Sequence, residues 1–260
     1  MDDLLRLSGV TYTYSGGLPW ARVRHQALKG IDLTIAAGET LGLVGESGSG
    51  KSTIGRVCLG LARPTTGKAT LEDTPLFGIG RRRPGVLSAV LQHPEWALNP
   101  RLTIGRSIAE PLRLAGGDRR EEADRVGAML EATGLDPRMA GRYPAELSGG
   151  QRQRVAVARA LITAPRLIVF DEAVSALDVS IQAQILNLIR SLQDRNGFAA
   201  LFISHDIGAV RYVAHRVAIL SAGSVVETLP ARKLYHLPAN PYARLLVQAS
   251  GLSLFPEPAE

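Results

Sequence analysis

A single cysteine, Cys58, in 260 residues leaves no material for a disulfide framework or a cysteine-ligated metal cluster. Within STIGRVCLGL it reads as a small buried apolar residue on a helix. Aromatic residues make up only 5% of the chain, too few for the stacking platforms on which single-stranded nucleic acids are held. No stretch approaches the ~18 consecutive apolar residues that a membrane-spanning helix needs. The opening MDDLLRLSGVTY lacks the basic patch and apolar run of a secretory leader, so a cytosolic chain is expected. There are no internal repeats, no low-complexity tracts and no sustained heptads. The excess of positive charge is modest at +6 and scattered; its one run, at 81–83 beside Pro84, reads as a solvated loop. What is present is ordinary: 45% hydrophobic and 21% charged residues, enough for one large core or a core with a small subdomain.

Hydrophobic periodicity changes along the chain. LLRLSGVTYTY and IDLTI read as strands, separated by GGLPWARVRHQ, a loop by its glycine and proline content. ETLGLVG is a short apolar strand that runs into a glycine-rich turn, and STIGRVCLGL continues as a helix. From about Ile104 to Ala164 the spacing is helical throughout: SIAEPLRLA, then REEADRVGAMLEATG, stopped by Gly134 and Pro137, then QRQRVAVARALITA. Strand and helix alternate again afterwards. RLIVFDE is a buried strand. DVSIQAQILNLIRSLQDRNG is an amphipathic helix with Asp178 as N-cap and Gly197 as stop. AALFISH is the next strand, and VAILSAGSVVETL is a hairpin turning at Ala222 and Gly223. The tail SLFPEPAE reads as disordered. Such alternation predicts an α/β fold, a mostly parallel sheet with flanking helices. To it are added an N-terminal antiparallel β-subdomain and an inserted α-helical subdomain. The expected boundaries are 1–91 and 165–230 for the core with its β-subdomain, 92–164 for the helical part, and 231–260 for a short C-terminal extension.

Three motifs carry chemistry. The first is GESGSGKS: Gly45, Glu46, Ser47, Gly48, Ser49, Gly50, Lys51 and Ser52, followed by Thr53. It fits G-x-x-x-x-G-K-[ST] in full and stands between a strand and a helix, the setting of a P-loop nucleotide-binding core. Glycines allow backbone N–H groups to turn inward around phosphates where a side chain would block them. The following helix offers its positive dipole end, Lys51 adds charge, and Ser52 supplies a hydroxyl for Mg2+. The second motif is LIVFDE. A buried strand ends in Asp171 and Glu172, at the edge where open parallel sheets bind ligands; Asp171 suits Mg2+ and Glu172 suits polarising an attacking water. The third is LSGGQ, Leu147 with Ser148, Gly149, Gly150 and Gln151. Ser148 and Gln151 have capping-box spacing. The two glycines weaken a first helical turn, so they point to a backbone that something approaches closely.

In this order the three motifs resemble those of ABC-type ATPases, over nearly the whole chain. The resemblance implies binding and hydrolysis of ATP with Mg2+. It implies two subunits closed over two nucleotides, so that Ser148 and Gly150 of one act on the nucleotide held by the phosphate loop of the other. It further implies that Gln92, in VLQHP, is the Q-loop residue that senses Mg2+ and contacts a membrane partner. By the same resemblance SALD, ending at Asp178, is expected to be the D-loop along the seam, and His205, in FISHD, the switch that holds the γ-phosphate. Tyr14 aligns with the aromatic that stacks on adenine; Tyr12, expected on the opposite face of the same strand, is the alternative. Leu91, where the family often has an aromatic, and Ala173, where many members have proline, depart from the pattern without removing a catalytic group.

HPEWALNPRLTIGRSIAEPL, DVSIQAQILNLIRSLQ and ANPYARLLVQAS are similar to the dipeptide, oligopeptide and nickel importer ATPases. For such a subunit the resemblance implies a second ATPase chain, identical or a sister. It also implies two transmembrane permease subunits, an extracytoplasmic solute-binding protein acting indirectly, and a place on the cytoplasmic face of the membrane. No iron–sulfur cluster is expected, because the C-terminal region has no cysteine. A non-transport ABC ATPase, from phosphonate metabolism or associated with DNA, is the competing class. A long coiled-coil insertion, zinc-ligating cysteines and a second set of motifs, which DNA-repair and translation types carry, are all missing, and no nucleic-acid partner is expected.

Overall fold

The computed structural model describes residues 3–18, 21–78, 84–93, 97–235 and 238–250. The basic run at 81–83 and the tail SLFPEPAE fall outside them. In chain order the elements are β1 (Asp3–Leu18), β2 (Ala21–Ala36), β3 (Thr40–Val44), α1 (Lys51–Cys58), β4 (Thr66–Leu71), β5 (Thr74–Pro75), β6 (Leu87–Leu91), α2 (Ile104–Leu114), α3 (Glu122–Ala132), α4 (Gly149–Leu161), β7 (Leu167–Asp171), α5 (Val179–Asn196), β8 (Ala199–Ile203), α6 (Ile207–Val213), β9 (Arg216–Ser221), β10 (Ser224–Pro230) and α7 (Pro241–Ala249). They fall into two units, residues 1–81 with 201–260, and residues 82–200.

In the first unit β2, β1, β4 and β5 form a four-stranded antiparallel sheet in that order. Its buried face carries Leu5, Leu7, Leu28, Ile31, Leu33 and Ile35. Pairing between β1 and β2 continues out to Leu18 opposite Ala21. The segment GGLPWARVRHQ is therefore largely strand, not loop. Gly16 and Gly17 keep their backbone donors and acceptors, and the facing Val23 and Arg22 complete the ladder, which outweighs the low strand preference of glycine. Elsewhere in the unit β3, buried at every residue, runs parallel to β9, with Leu41 opposite Arg216 and Val44 opposite Ile219. Gly42 lets α6 lie against β3: a Cβ there would stand 2.3 Å from Val210 Cγ1. β9 and β10 form the expected hairpin. Its turn residues Ala222 and Gly223 have φ of 46° and 85°, the left-handed pair that matches the twist of the strands.

In the second unit β6 and β7 pair in parallel, Leu87 with Leu167 through Leu91 with Asp171. Between Ile104 and Ala164 the described residues hold three α-helices and two 3-10 turns and no strand. α2, α3 and α4 share a core that includes Ile108, Leu112, Leu130, Val155 and Ala158. α5 stops at Gly197, whose φ of 66° gives the left-handed cap. At its other end Asp178 occupies the N-cap position, but its side chain makes no cap hydrogen bond. The carboxylate is exposed, so its help to the helix is limited to charge near the dipole. The parallel pairs, the antiparallel sheet and the helical block together make the α/β P-loop type of fold.

Candidate active site

The buried run of β3 delivers the chain to Gly45, where the glycine-rich loop expected to bind phosphate begins. Gly45, Gly48 and Gly50 have φ of 155°, 78° and 107°, backbone that L side chains rarely adopt. Two of the three are also sterically required. A Cβ on Gly45 would lie 2.2 Å from the Leu220 carbonyl oxygen, and one on Gly50 would lie 2.8 Å from that of Ala27. These glycines let the loop sit against β9 and β2; around Gly48 there is open space, as a ligand-facing turn needs. Gly223 N donates to the Ser49 carbonyl at 3.0 Å and Lys29 N to the Gly223 carbonyl at 2.8 Å, so the β9–β10 turn braces the loop.

Lys51 opens α1 and is buried. A buried ammonium needs partners, and its Nζ donates to the carbonyls of Gly45 at 2.7 Å and Glu46 at 2.8 Å. α1 has no acidic residue in its first turn and no side-chain cap, which leaves its positive end suited to an anion. The Ser49 hydroxyl, 4% exposed, finds no hydrogen-bond partner among the described residues. Ser52 is exposed and Thr53 buried.

The Thr53 hydroxyl lies 3.1 Å from that of Tyr14. Tyr14 is 38% exposed, so its ring is tethered at the phenol end and open on its surface. Tyr12 does not lie on the opposite face: the two rings meet edge-on, with centroids 4.8 Å apart. Side chains two apart on a strand share a face, and the ring contact shows that they do so here despite the irregularity between Tyr12 and Thr13. His205 follows β8 and is exposed. On either side of it Asp206 N donates to Ser204 Oγ at 3.0 Å, and Asp206 Oδ1 accepts from Ala209 N at 3.0 Å to cap α6.

The second unit holds the remaining residues. Asp171 ends β7 opposite Leu91 of β6, so Gln92, the next residue of that chain segment, leaves the sheet at the same edge as Asp171 and Glu172. Glu172 has φ of 53°, a conformation that costs a non-glycine residue about 1–3 kcal/mol and clusters at functional sites. It is held there by Ser175, whose hydroxyl and N–H donate to the Glu172 carbonyl at 2.9 and 3.2 Å. The positioning role of Ser175 was not read from the sequence; a serine three residues after the acid was its only signal. The LSGGQ segment forms a true capping box: Ser148 N donates to Gln151 Oε1 at 3.0 Å and Gln151 N to Ser148 Oγ at 3.3 Å. Ser148 and Gly149 are exposed at the start of α4. The two glycines differ. Gly149 has open space around it, while a Cβ on Gly150 would stand 2.9 Å from Ile181 Cγ2 of α5. The backbone at Gly150 is thus closely approached from within the chain itself.

A family model for the ABC transporter matches residues 28–175. The chain belongs to the ABC transporter family. This cassette is 48% identical to a Brucella abortus protein named for peptide import and ATP binding, over 95% of this chain and 75% of that one. It is 45% identical to the oligopeptide transport ATP-binding protein OppF of Salmonella typhimurium, over 86% of this chain and 69% of that one. With the glutathione import ATP-binding protein GsiA of Pectobacterium atrosepticum it shares 46% identity over 95% of this chain and 41% of that one. Among solved structures it resembles an ATP-binding cassette in a dimeric, post-hydrolysis state bound to ADP and Pi, with TM-score 0.76 and 31% identity over 88% of this chain and 99% of that one. It also resembles cbiO1 from Clostridium perfringens, part of an ABC transporter complex, with TM-score 0.79 and 25% identity over 96% of both chains. This ABC cassette is an ATPase.

The donor set of the cassette fits a nucleotide phosphate: left-handed glycines, a lysine held inside the loop, an uncapped helix start and the orphaned Ser49 hydroxyl. Mg2+ at phosphate sites is commonly shared between one or two protein oxygens, phosphates and water. Among the described residues no group of three or more His, Cys, Asp and Glu side chains could hold a metal unaided.

Proposed function

We propose that this ABC ATPase energises the import of peptides, with nickel or a metal chelate as the other cargo of the same importer type, by working through partner membrane subunits. The reading rests chiefly on one observation. The match to a peptide-import relative runs over 95% of the chain at 48% identity, and so includes the LNPR and IAEPL segments as well as the nucleotide motifs.

The phosphate loop, from Gly45 to Thr53, binds the triphosphate through its amides and Lys51, and Tyr14 stacks on the base. Ser52, Asp171 and Gln92 are the residues that would hold Mg2+, which would supply positive charge against the phosphate. Glu172 orients and polarises the attacking water, and its left-handed backbone re-aims the carboxylate at the end of β7. His205 holds the γ-phosphate by hydrogen bonding. Ser148, Gly149, Gly150 and Gln151 serve a second ATPase subunit, identical or a sister chain, across a seam along which Asp178 runs. The exposed, capping-box start of α4 is what that role needs. A lone chain therefore binds ATP and hydrolyses it poorly.

Among the described residues no helix is long and apolar enough to cross a membrane. Attachment to the cytoplasmic face is assigned to two permease subunits, which receive solute from an extracytoplasmic binding protein. Affinity purification of the tagged chain from solubilised membranes tests this. Recovery of two membrane subunits, with ATPase activity raised by the solute-loaded binding protein, is the expected result. Recovery with DNA or ribosomes, and none with membrane proteins, would overturn it.

A further inference from the structure

The residues matched by the family model end at 175, yet α7 reaches back to the phosphate loop. The Tyr242 hydroxyl accepts a hydrogen bond from Glu46 N at 3.3 Å, across 196 positions of sequence. Glu46 N belongs to the peptide unit that also contains the Gly45 carbonyl, and that carbonyl accepts from Lys51 Nζ at 2.7 Å. A peptide is planar and trans, so its N–H and C=O point in opposite directions. This unit is therefore gripped at both ends, by Tyr242 on one side and Lys51 on the other.

α7 is seated firmly enough to act as a stop. Both oxygens of Glu227, on β10, accept backbone amides just before it, from Ala239 at 2.9 Å and from Asn240 at 3.0 Å. Asn240 caps the helix by accepting from Tyr242 N at 2.9 Å. Arg244 Nε donates to the Pro238 carbonyl at 2.7 Å, and Ala243 and Val247 are fully buried.

We infer that Tyr242 is a positioning residue for nucleotide binding: by fixing the Gly45–Glu46 peptide it fixes the carbonyl that aims the Lys51 ammonium. The inference rests on Lys51 and its loop being the ATP site. An ammonium has three N–H donors and no rigid fork, so its direction is set by the acceptors it finds. With the peptide held, the lysine is aimed before the triphosphate arrives and less ordering is left to binding. Without the hydroxyl, Glu46 N–H turns to water, the peptide can rock, and part of that ordering falls on the binding step. Tyr242 touches neither the γ-phosphate nor the water, so affinity changes and turnover does not.

The test compares Y242F and the natural chain, both full length, by titration with a fluorescent ATP analogue and with ADP, alongside thermal melts without nucleotide. Y242F keeps the ring and its packing and loses only the hydroxyl. Loss of one hydrogen bond corresponds to roughly a fivefold rise in Kd for both nucleotides, with the nucleotide-free melting temperature within about 2 °C. In the assembled complex KM for ATP rises by a similar factor at near-constant kcat. A Y242F Kd within twofold of the natural value would overturn the inference. So would a loss of affinity that appears only together with a lowered melting temperature and vanishes at lower temperature, since that is a folding effect. E227Q, which weakens the seat of α7 from the far side, should shift Kd in the same direction by a smaller factor. Failure of the natural chain to bind ATP at all would strike at the site assignment, a distinct outcome from equal affinities in the two proteins.

Discussion

The hydroxyl of Tyr14, on β1, stands 3.1 Å from the hydroxyl of Thr53, in the first turn of α1. The bond ties the ring proposed for adenine stacking to the helix that opens at Lys51. Tyr14→Ala should raise Kd for ATP about tenfold, in line with the ~1–3 kcal/mol of a base–aromatic stack, and should leave competition by inorganic triphosphate unchanged. Tyr14→Phe keeps the ring and should stay within about threefold. If Tyr12→Ala produces the larger loss, the stacking role passes to Tyr12.

Lys51→Ala removes the ammonium that bridges the Gly45 and Glu46 carbonyls. Both carbonyls then lose a charged donor, worth about 1.5–3 kcal/mol each way in comparable bonds, and the phosphates lose their cation. Nucleotide titration should show affinity reduced by about two orders of magnitude or more. Unchanged affinity would remove the loop from the binding role.

Glu172→Gln keeps the size and the left-handed backbone of residue 172 (φ 53°) while removing the base. ATP binding should persist, hydrolysis should fall by about 100-fold or more, and size-exclusion chromatography with ATP should show closed dimers accumulating. Near-normal turnover would take Glu172 out of the reaction.

Gly150→Ala should destabilise the chain by about 1–3 kcal/mol in urea unfolding, because the new Cβ meets Ile181 Cγ2 at 2.9 Å. Cγ2 sits on the stiff, branched Cβ of Ile181 and cannot swing away cheaply, so Ile181→Ala in the same chain should recover most of that loss, measured as a coupling energy in a double-mutant cycle. Additive effects would mean that the two positions do not meet.

Burial pushes the Cys58 thiol up to about 12. Little thiolate forms near pH 8, so a disulfide reagent should label the chain only after unfolding. The folded value lies above that of the unfolded chain, so the contribution to stability is complete below pH ~8.5 and is lost as pH rises from there toward the folded value. Labelling of the native protein as fast as that of the denatured one would contradict the buried setting.

The local structure of the motif segments was legible because it is local. GESGSGKS, the acids that end LIVFDE and the LSGGQ capping box each lie within one short stretch of backbone, and each demands particular residue types at fixed offsets. The helical block was legible because a 3.6-residue period persists through it. Two misreadings have physical causes. GGLPWARVRHQ looks like a loop residue by residue and becomes strand because β1 and β2 complete each other's hydrogen bonds out to Leu18 and Ala21. Tyr12 and Tyr14 were expected on opposite faces of β1, but residues two apart share a face of a strand, and their rings meet with centroids 4.8 Å apart.

The amino-acid sequence by itself thus determined that the chain has a glycine-rich turn between a strand and a helix, a pair of acids at a strand end and a glycine-bearing helix start, and in what order they occur. Tertiary structure alone decided why particular glycines are there and what holds the loop in shape. The Leu220 carbonyl forbids a Cβ at Gly45, Ile181 crowds Gly150, and Tyr242 takes the amide of Glu46. Each of these pairs is brought together by the folding of separate segments, and no periodicity or spacing along the chain records how closely two distant atoms will meet.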